Sequence, residues 1–172
     1  SYYNLAYCYF QKKEYSTALK HFTTYLSIDN YYDKTPDIYL DANMRSADCN
    51  FILKKYEAAL DNYDYVISKN SKSADYALFQ RAMILGLQNK PEDKINSLKR
   101  IAKEYPKSDL NDDAIFEIAA TRNQQGQYDN AIKAYQYIID NFTRSELLSK
   151  THLNLGTAYR NKNNPTDALT EF

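Results

Sequence analysis

The sequence predicts an all-α solenoid of stacked helix pairs, and three observations carry that prediction. Small residues recur in phase at Ala6, Ala47, Ala82, Ala119 and Gly156, in steps of 41, 35, 37 and 37 residues. Twelve residues after each comes a second position, Ala18, Ala59, Lys94, Ala131 and Ala168. Four further on stands a large apolar one, Phe22, Tyr63, Leu98, Tyr135 and Phe172. Third, 3 glycines and 4 prolines in 172 residues are too few for a β chain, which needs a turn about every 8–12 residues. Self-similarity at this period marks a repeat architecture.

When each repeat is counted so that its small residue is place 8, the elements follow in order. Places 4, 7, 8 and 11 share one face of a helix, and places 17, 20, 24 and 27 share one face of the next. Small residues at 8 and 20 let the two helices approach, and large neighbours fill the remaining space. Repeat one, 1–30, carries YNLAYCY from Tyr3 to Tyr9, then Tyr15, Ala18 and Phe22. Repeat two, 38–71, carries Ala47, then Tyr56, Ala59 and Tyr63, with Asn50 where place 11 calls for an aromatic. Repeat three, 75–108, carries Ala82 and Leu98 but puts Lys94 at place 20. That lysine implies either a looser helix pair or an ammonium that snorkels outward along its stem. Repeat four, 112–145, holds GQYDNAIKAY from Gly126 to Tyr135, with Arg122 at place 11. Repeat five, 149–172, holds LNLGTAY from Leu153 to Tyr159 and is incomplete. Pro91 and Pro165 fall at the starts of second helices, where a missing N–H costs nothing and the fixed φ suits a helix. One pair cannot bury both of its faces, so each pair depends on its neighbours.

These motifs resemble the tetratricopeptide repeat family over essentially the whole chain, with four repeats and most of a fifth. The resemblance implies two antiparallel helices per repeat, stacked into a right-handed α-solenoid. Against the family's length of about 34 residues, the 41-residue step into repeat two leaves seven extra residues around NYYDKTPDIYL. A longer loop there, or an extra turn on the next helix, is expected. Pro106 falls at place 32, where the family often has proline. The junctions EYPKSDLNDDAIF and NFTRSELLSKTHL look like those of the envelope tetratricopeptide proteins of Gram-negative bacteria, the outer-membrane-assembly lipoprotein and the Tol–Pal coordinator. Tyr105, Pro106, Lys107 and Ser108 match their YPxS fully. That narrower likeness implies a periplasmic or outer-membrane-associated setting. The chain is also expected to be a piece of a longer protein, because it opens at Ser1 without Met and stops inside an apolar segment at Phe172.

Composition narrows the function. With 22 basic and 22 acidic residues the net charge is zero, which argues against nucleic acid, since phosphate binding needs a basic stripe. No apolar run approaches the roughly 20 residues of a membrane span. Catalysis and cofactors are not expected. The two histidines, His21 and His152, stand far apart, with His152 on a packing face. Metalloprotease, nucleophile-elbow and phosphate-loop motifs are absent from the sequence. Carboxylate clusters such as DLNDD read as helix caps and first-turn dipole complements. Cys8 and Cys49 share place 10 of successive first helices, which stack about 8–10 Å apart. A disulfide needs Cα atoms within about 7 Å, so both are expected to be free, largely buried thiols.

The resemblance also implies a binding groove, lined by first helices at places 2, 5, 9, 12 and 13. In repeat one these include Tyr3, Tyr7 and Phe10, and in repeat two Met44, Phe51 and Ile52, beside Asp41 and Asp48. Repeat three adds Tyr76, Phe79, Met83 and Leu87, and repeat four adds Phe116. Aromatics and Met are enriched in interface cores, and Met adapts to varied partners. Tyr3, Tyr7 and Phe10 stand where the family's clamp for C-terminal carboxylates has Lys, Asn and Arg, so that clamp is rejected. The expected function is a protein-interaction scaffold that holds an apolar peptide or helix, with Tyr7, Phe51, Phe79 and Met83 as hot spots. Two alternatives stand beside it. One is a self-associating or structural array whose groove is capped by the protein's own further segments. The other is the regulatory region of a larger enzyme or transcription regulator.

Overall fold

A computed structural model describes residues 1–28 and 35–171. Among them are ten α-helices and no strand: α1 (Tyr2–Gln11), α2 (Tyr15–Leu26), α3 (Pro36–Ile52), α4 (Tyr56–Ser68), α5 (Ala74–Leu87), α6 (Pro91–Glu104), α7 (Asn111–Gln124), α8 (Tyr128–Asn141), α9 (Leu148–Asn161) and α10 (Pro165–Glu171). They form five pairs in the expected order, an all-α solenoid of helix hairpins. The chain divides into two compact units, Ser1–Ile84 and Leu85–Phe172.

A single turn geometry makes every hairpin. Three residues separate the two helices of each pair. The middle one is Lys13, Lys54, Asn89, Gly126 or Asn163, and each has φ between 58° and 74°. The next N–H then reaches back five residues to a carbonyl: Glu14 to Tyr9, Lys55 to Asn50, Lys90 to Leu85, Gln127 to Arg122 and Asn164 to Tyr159, all at 2.8–2.9 Å. This left-handed C-cap satisfies carbonyls that the ending helix would leave orphaned. The Gly of GQYDNAIKAY is therefore a turn residue, and only Gly adopts that φ without a Cβ penalty.

The packing places behave as expected. Ala6, Ala47, Ala82, Ala119 and Gly156 are buried, as are Ala18, Ala59, Ala131 and Ala168. Phe22, Tyr63, Leu98 and Tyr135 are fully covered, each contributing roughly 1.5–3 kcal/mol by burial. In unit 1, Phe22 and Ala18 pack with Ala42 and Cys49 of α3, and Tyr63 packs with Met44, Ala77 and Ile84. In unit 2, Tyr135 and Ala131 pack with Phe116, Leu155 and Ala158. Phe172, the fifth large apolar position, lies outside the described residues.

The irregular places resolve individually. At 17 residues, α3 is one turn longer than α5, α7 and α9 at 14 each, which is the extra turn. The loop expected before it falls on 29–34, outside the described residues. Lys94 does not snorkel into solvent: its Nζ bonds Glu117 Oε2 at 2.7 Å and its side chain is 13% exposed. Gly86 makes room for the stem, because a Cβ there would stand 3.2 Å from Lys94 Cδ. Asn50 replaces an aromatic by joining a partly buried amide chain. It donates to Asn62 Oδ1 at 3.2 Å, Asn62 donates to Asn43 Oδ1 at 3.2 Å, and Asn43 donates to the Tyr39 carbonyl at 3.0 Å. Arg122 grips Glu92 with both terminal nitrogens, at 2.7 and 3.1 Å. Both thiols are free, but Cys8 is exposed, against expectation, while Cys49 is buried. The preceding pair covers Cys49, and no described helix precedes α1 to cover Cys8.

Candidate interaction surface

Within unit 1, the first helices of three repeats lie side by side, and one polar row stitches them together. The hydroxyl of Tyr3 on α1 donates to Asp41 Oδ2 on α3 at 2.7 Å. One turn on, Arg45 Nε lies 3.4 Å from Asp41 Oδ1. Arg45 also donates through Nη1 to Asp48 Oδ2 at 2.8 Å. Asp48 Oδ1 accepts from the hydroxyls of Tyr63 on α4, at 2.7 Å, and Tyr76 on α5, at 3.2 Å. The guanidinium of Arg45 stands 5.7 Å from the ring centre of Phe10. A carboxylate taken this far from water needs such partners, because burying an unpaired charge is costly.

The titration behaviour follows from that burial. Desolvation raises Asp48, against the pull of Tyr63, Arg45 and Tyr76. Burial and then the neighbouring Asp48 raise Tyr76 to about 12 and push Tyr63 further up. Tyr3 is raised by burial and then by its bond to Asp41. Burial works against the charge on Arg45, but Asp41 and Asp48 overcome it and hold the guanidinium ionised.

Rings and thioethers flank the row. Tyr3, Tyr7 and Phe10 form a ladder along α1, with centroids 6.0 and 6.3 Å apart. Tyr3, Tyr7, Phe10, Phe51, Tyr76, Phe79 and Met83 are all half-buried. Phe51 leans on Tyr56 at 6.1 Å, and Ile52 is exposed. Met44 is covered and belongs to the core beneath. A hollow of about 570 Å³ runs along α1 past Tyr3, Tyr7 and Cys8. A smaller one of about 230 Å³ opens beside Arg45 and Tyr76. The two remaining candidates belong to unit 2. Leu87 is exposed and Phe116 is covered, the latter with the Lys150 ammonium 4.5 Å from its ring centre. No group of three His, Cys, Asp or Glu side chains converges as a metal site among the described residues.

Arg45 is the residue that the groove places miss, because it sits at place 6, between the places that the family's groove uses. Its signal is in the sequence all the same. Asp41, Arg45 and Asp48 are spaced i, i+4 and i+7, which puts the three charges on one helical stripe.

Two family models, each described as tetratricopeptide repeat, match the chain. One covers residues 76–108 and 113–145 and the other 1–32, together more than half of the chain. No curated protein matches it in sequence. Solved structures do match in fold. A crystal structure of MamA is 14% identical with a TM-score of 0.79, over 99% of this chain and 86% of MamA. YrrB, a TPR protein with an unusual peptide-binding site, is 16% identical with a TM-score of 0.73, over 99% and 80%. A tetratricopeptide repeat protein from Parabacteroides merdae ATCC 43184 is 17% identical with a TM-score of 0.70, over 99% and 61%. With five hairpins in register and models matching across most of its repeats, this chain belongs to the tetratricopeptide repeat family.

Proposed function

We propose that this chain is a binding scaffold and not a catalyst, and that it holds an apolar segment of a partner protein on the α1–α3–α5 face of unit 1. The observation that carries this reading is the set of half-buried rings and Met83 on α1, α3 and α5, three helices tied together by the Asp41–Arg45–Asp48 row. Such residues offer large contact area while the polar row holds the three helices in register, and partner anchors concentrate on rigid aromatic surfaces. The peptide-binding site of YrrB, on a similar fold, is in keeping with it. Tyr7, Phe51, Phe79 and Met83 are the proposed hot spots. The test is to select peptides from a random displayed library on the purified chain and titrate them by fluorescence anisotropy. Phe51→Ser and Phe79→Ser should weaken capture by about tenfold or more, the scale of a hot spot, with far-UV circular dichroism unchanged. Undiminished affinity would overturn this surface.

Self-association is the second reading, because Tyr2, Leu5, Leu153 and Leu169 are large, apolar and exposed. Light scattering across protein concentrations decides it, and a constant monomer mass rejects it. We further place the protein in a bacterial envelope, periplasmic or outer-membrane-associated, on the YPKS junction at Tyr105 to Ser108. Fractionation of cells producing the full-length protein tests that setting, and recovery with the cytosol would refute it.

A further inference from the structure

We infer that Arg45 is the positioning residue of the α1–α3–α5 face: its guanidinium joins the tie between α1 and α3 to the tie between α3 and α5, so that the three helices hold one spacing. Its effect on a partner rests on the reading of that face as the docking surface, whereas the joint itself is a property of unit 1. Two separate ties cross the face. Tyr3 on α1 donates to Asp41 of α3 at 2.7 Å, and Tyr76 on α5 donates to Asp48 of α3 at 3.2 Å. Arg45 stands between the two carboxylates, with Nε 3.4 Å from Asp41 Oδ1 and Nη1 2.8 Å from Asp48 Oδ2. One planar fork therefore serves both ties.

The joint needs a guanidinium. Asp48 is 8% exposed, and a carboxylate that far from water is costly to keep ionised without a counter-charge. Arg45 supplies that charge, and the carboxylate then accepts the hydroxyls of both Tyr63 and Tyr76. The contact to Asp41 is beyond ordinary hydrogen-bond length, so the fork is shared unequally and sits closer to Asp48. If Asp41 loses the Tyr3 hydroxyl it draws Arg45 harder, and Asp48 then leans more on Tyr76. The two ties are thus coupled in energy, as members of one hydrogen-bond network are. The same guanidinium stands 5.7 Å from the ring centre of Phe10 on α1. A Lys ammonium is a point charge on a flexible stem and cannot present a fork to two carboxylates and a flat face to a ring. Arg45 is also a poor receptor for a partner acid, because that acid would meet Asp41 and Asp48 beside it.

The experiment has two arms, both on the whole chain. The first reads urea midpoints of Tyr3→Phe, Tyr76→Phe and the double variant. The double variant should lose more than the two single losses added together, and in an Arg45→Met background the losses should simply add. Additive losses in the native background would overturn the joint. Where Arg45→Met fails to fold, Arg45→Lys serves as the background, and the native comparison decides the matter by itself. The second arm titrates peptides selected from the random displayed library by fluorescence anisotropy. Arg45→Lys keeps the charge but loses the fork, so it should weaken acidic and neutral peptides alike, by about threefold or more. Native affinity in Arg45→Lys, or a loss confined to peptides carrying Asp or Glu, would overturn the positioning role. Failure of the face itself is seen separately: Phe51→Ser and Phe79→Ser would leave the affinities unchanged, whatever the midpoints show of the joint.

Discussion

The Tyr63 hydroxyl donates a 2.7 Å hydrogen bond to Asp48 Oδ1, joining the second helix of repeat two to the first. Tyr135 is its counterpart in repeat four, equally buried, and its hydroxyl finds no partner. The cause is one residue: Asp48 stands at place 9 of repeat two, and Ala120 stands at place 9 of repeat four.

The pair therefore predicts opposite outcomes for the same substitution. Tyr63→Phe removes a donor from a buried carboxylate and should cost about 1–2 kcal/mol, whereas Tyr135→Phe removes an unsatisfied hydroxyl and should be neutral or up to about 1 kcal/mol stabilising. Urea midpoints of the two variants check this. Equal losses would mean that Asp48 has no special tie to Tyr63.

The same row predicts a fragile alkaline side. An unfolded tyrosine loses its proton near pH 10, but Tyr76 is held up to about 12, and Tyr63 and Tyr3 are also raised. Above about pH 10 the folded chain thus binds more protons than the unfolded chain, so stability falls as pH rises. The contribution is fully present below that pH and is lost progressively towards pH 12. Tyr63→Phe with Tyr76→Phe should flatten the fall, measured as urea midpoint against pH. A slope unchanged in the double variant would refute it.

How much of this was legible in the sequence depended on whether a position obeys the period. Ala131 and Tyr135 announce themselves because five repeats place small and large residues in phase, and the helix pairs follow from that alone. Lys94 broke the pattern, and its compensation was not readable: Gly86 and Glu117 come to it from other helices, 8 and 23 residues away in sequence. The burial of the proposed face was half legible. Its aromatics fall at expected places, but Met44 and Phe116 turn inward, because a place number fixes the side of a helix and not the depth of its neighbours. Arg45 escaped notice because its meaning is tertiary: only the fold brings Tyr3, Tyr63 and Tyr76 to the carboxylates beside it.

The two thiols should separate cleanly in reactivity. Cys8 is exposed, whereas Cys49 is buried, and burial, with Asp48 beside it, raises its thiol to about 12. Only a thiolate attacks alkylating agents at a useful rate, and at pH 8 Cys49 keeps its proton. Iodoacetamide on the native chain should label Cys8 alone, with Cys49 reacting only in denaturant. Mass spectrometry of the digested product reads this directly. Native labelling of Cys49 at the rate of Cys8 would refute the packing of α3 beneath repeat one.

The hairpin turns supply the sharpest test of the repeat register. Lys54 holds φ at 59° and Gly126 holds 74° at equivalent turns. A non-glycine residue in the left-handed region costs roughly 1–2 kcal/mol. Glycine avoids that strain but loses more freedom on folding, a partial offset. Lys54→Gly should therefore stabilise by about 0.5–1 kcal/mol, and Gly126→Ala should destabilise by about 1–2 kcal/mol. Neither side chain is part of the interaction row, so peptide affinity should stay constant while urea midpoints move in opposite directions. Loss of stability in both variants would mean that Lys54 makes contacts outweighing its strain, and that the five turns are alike in geometry but not in energy.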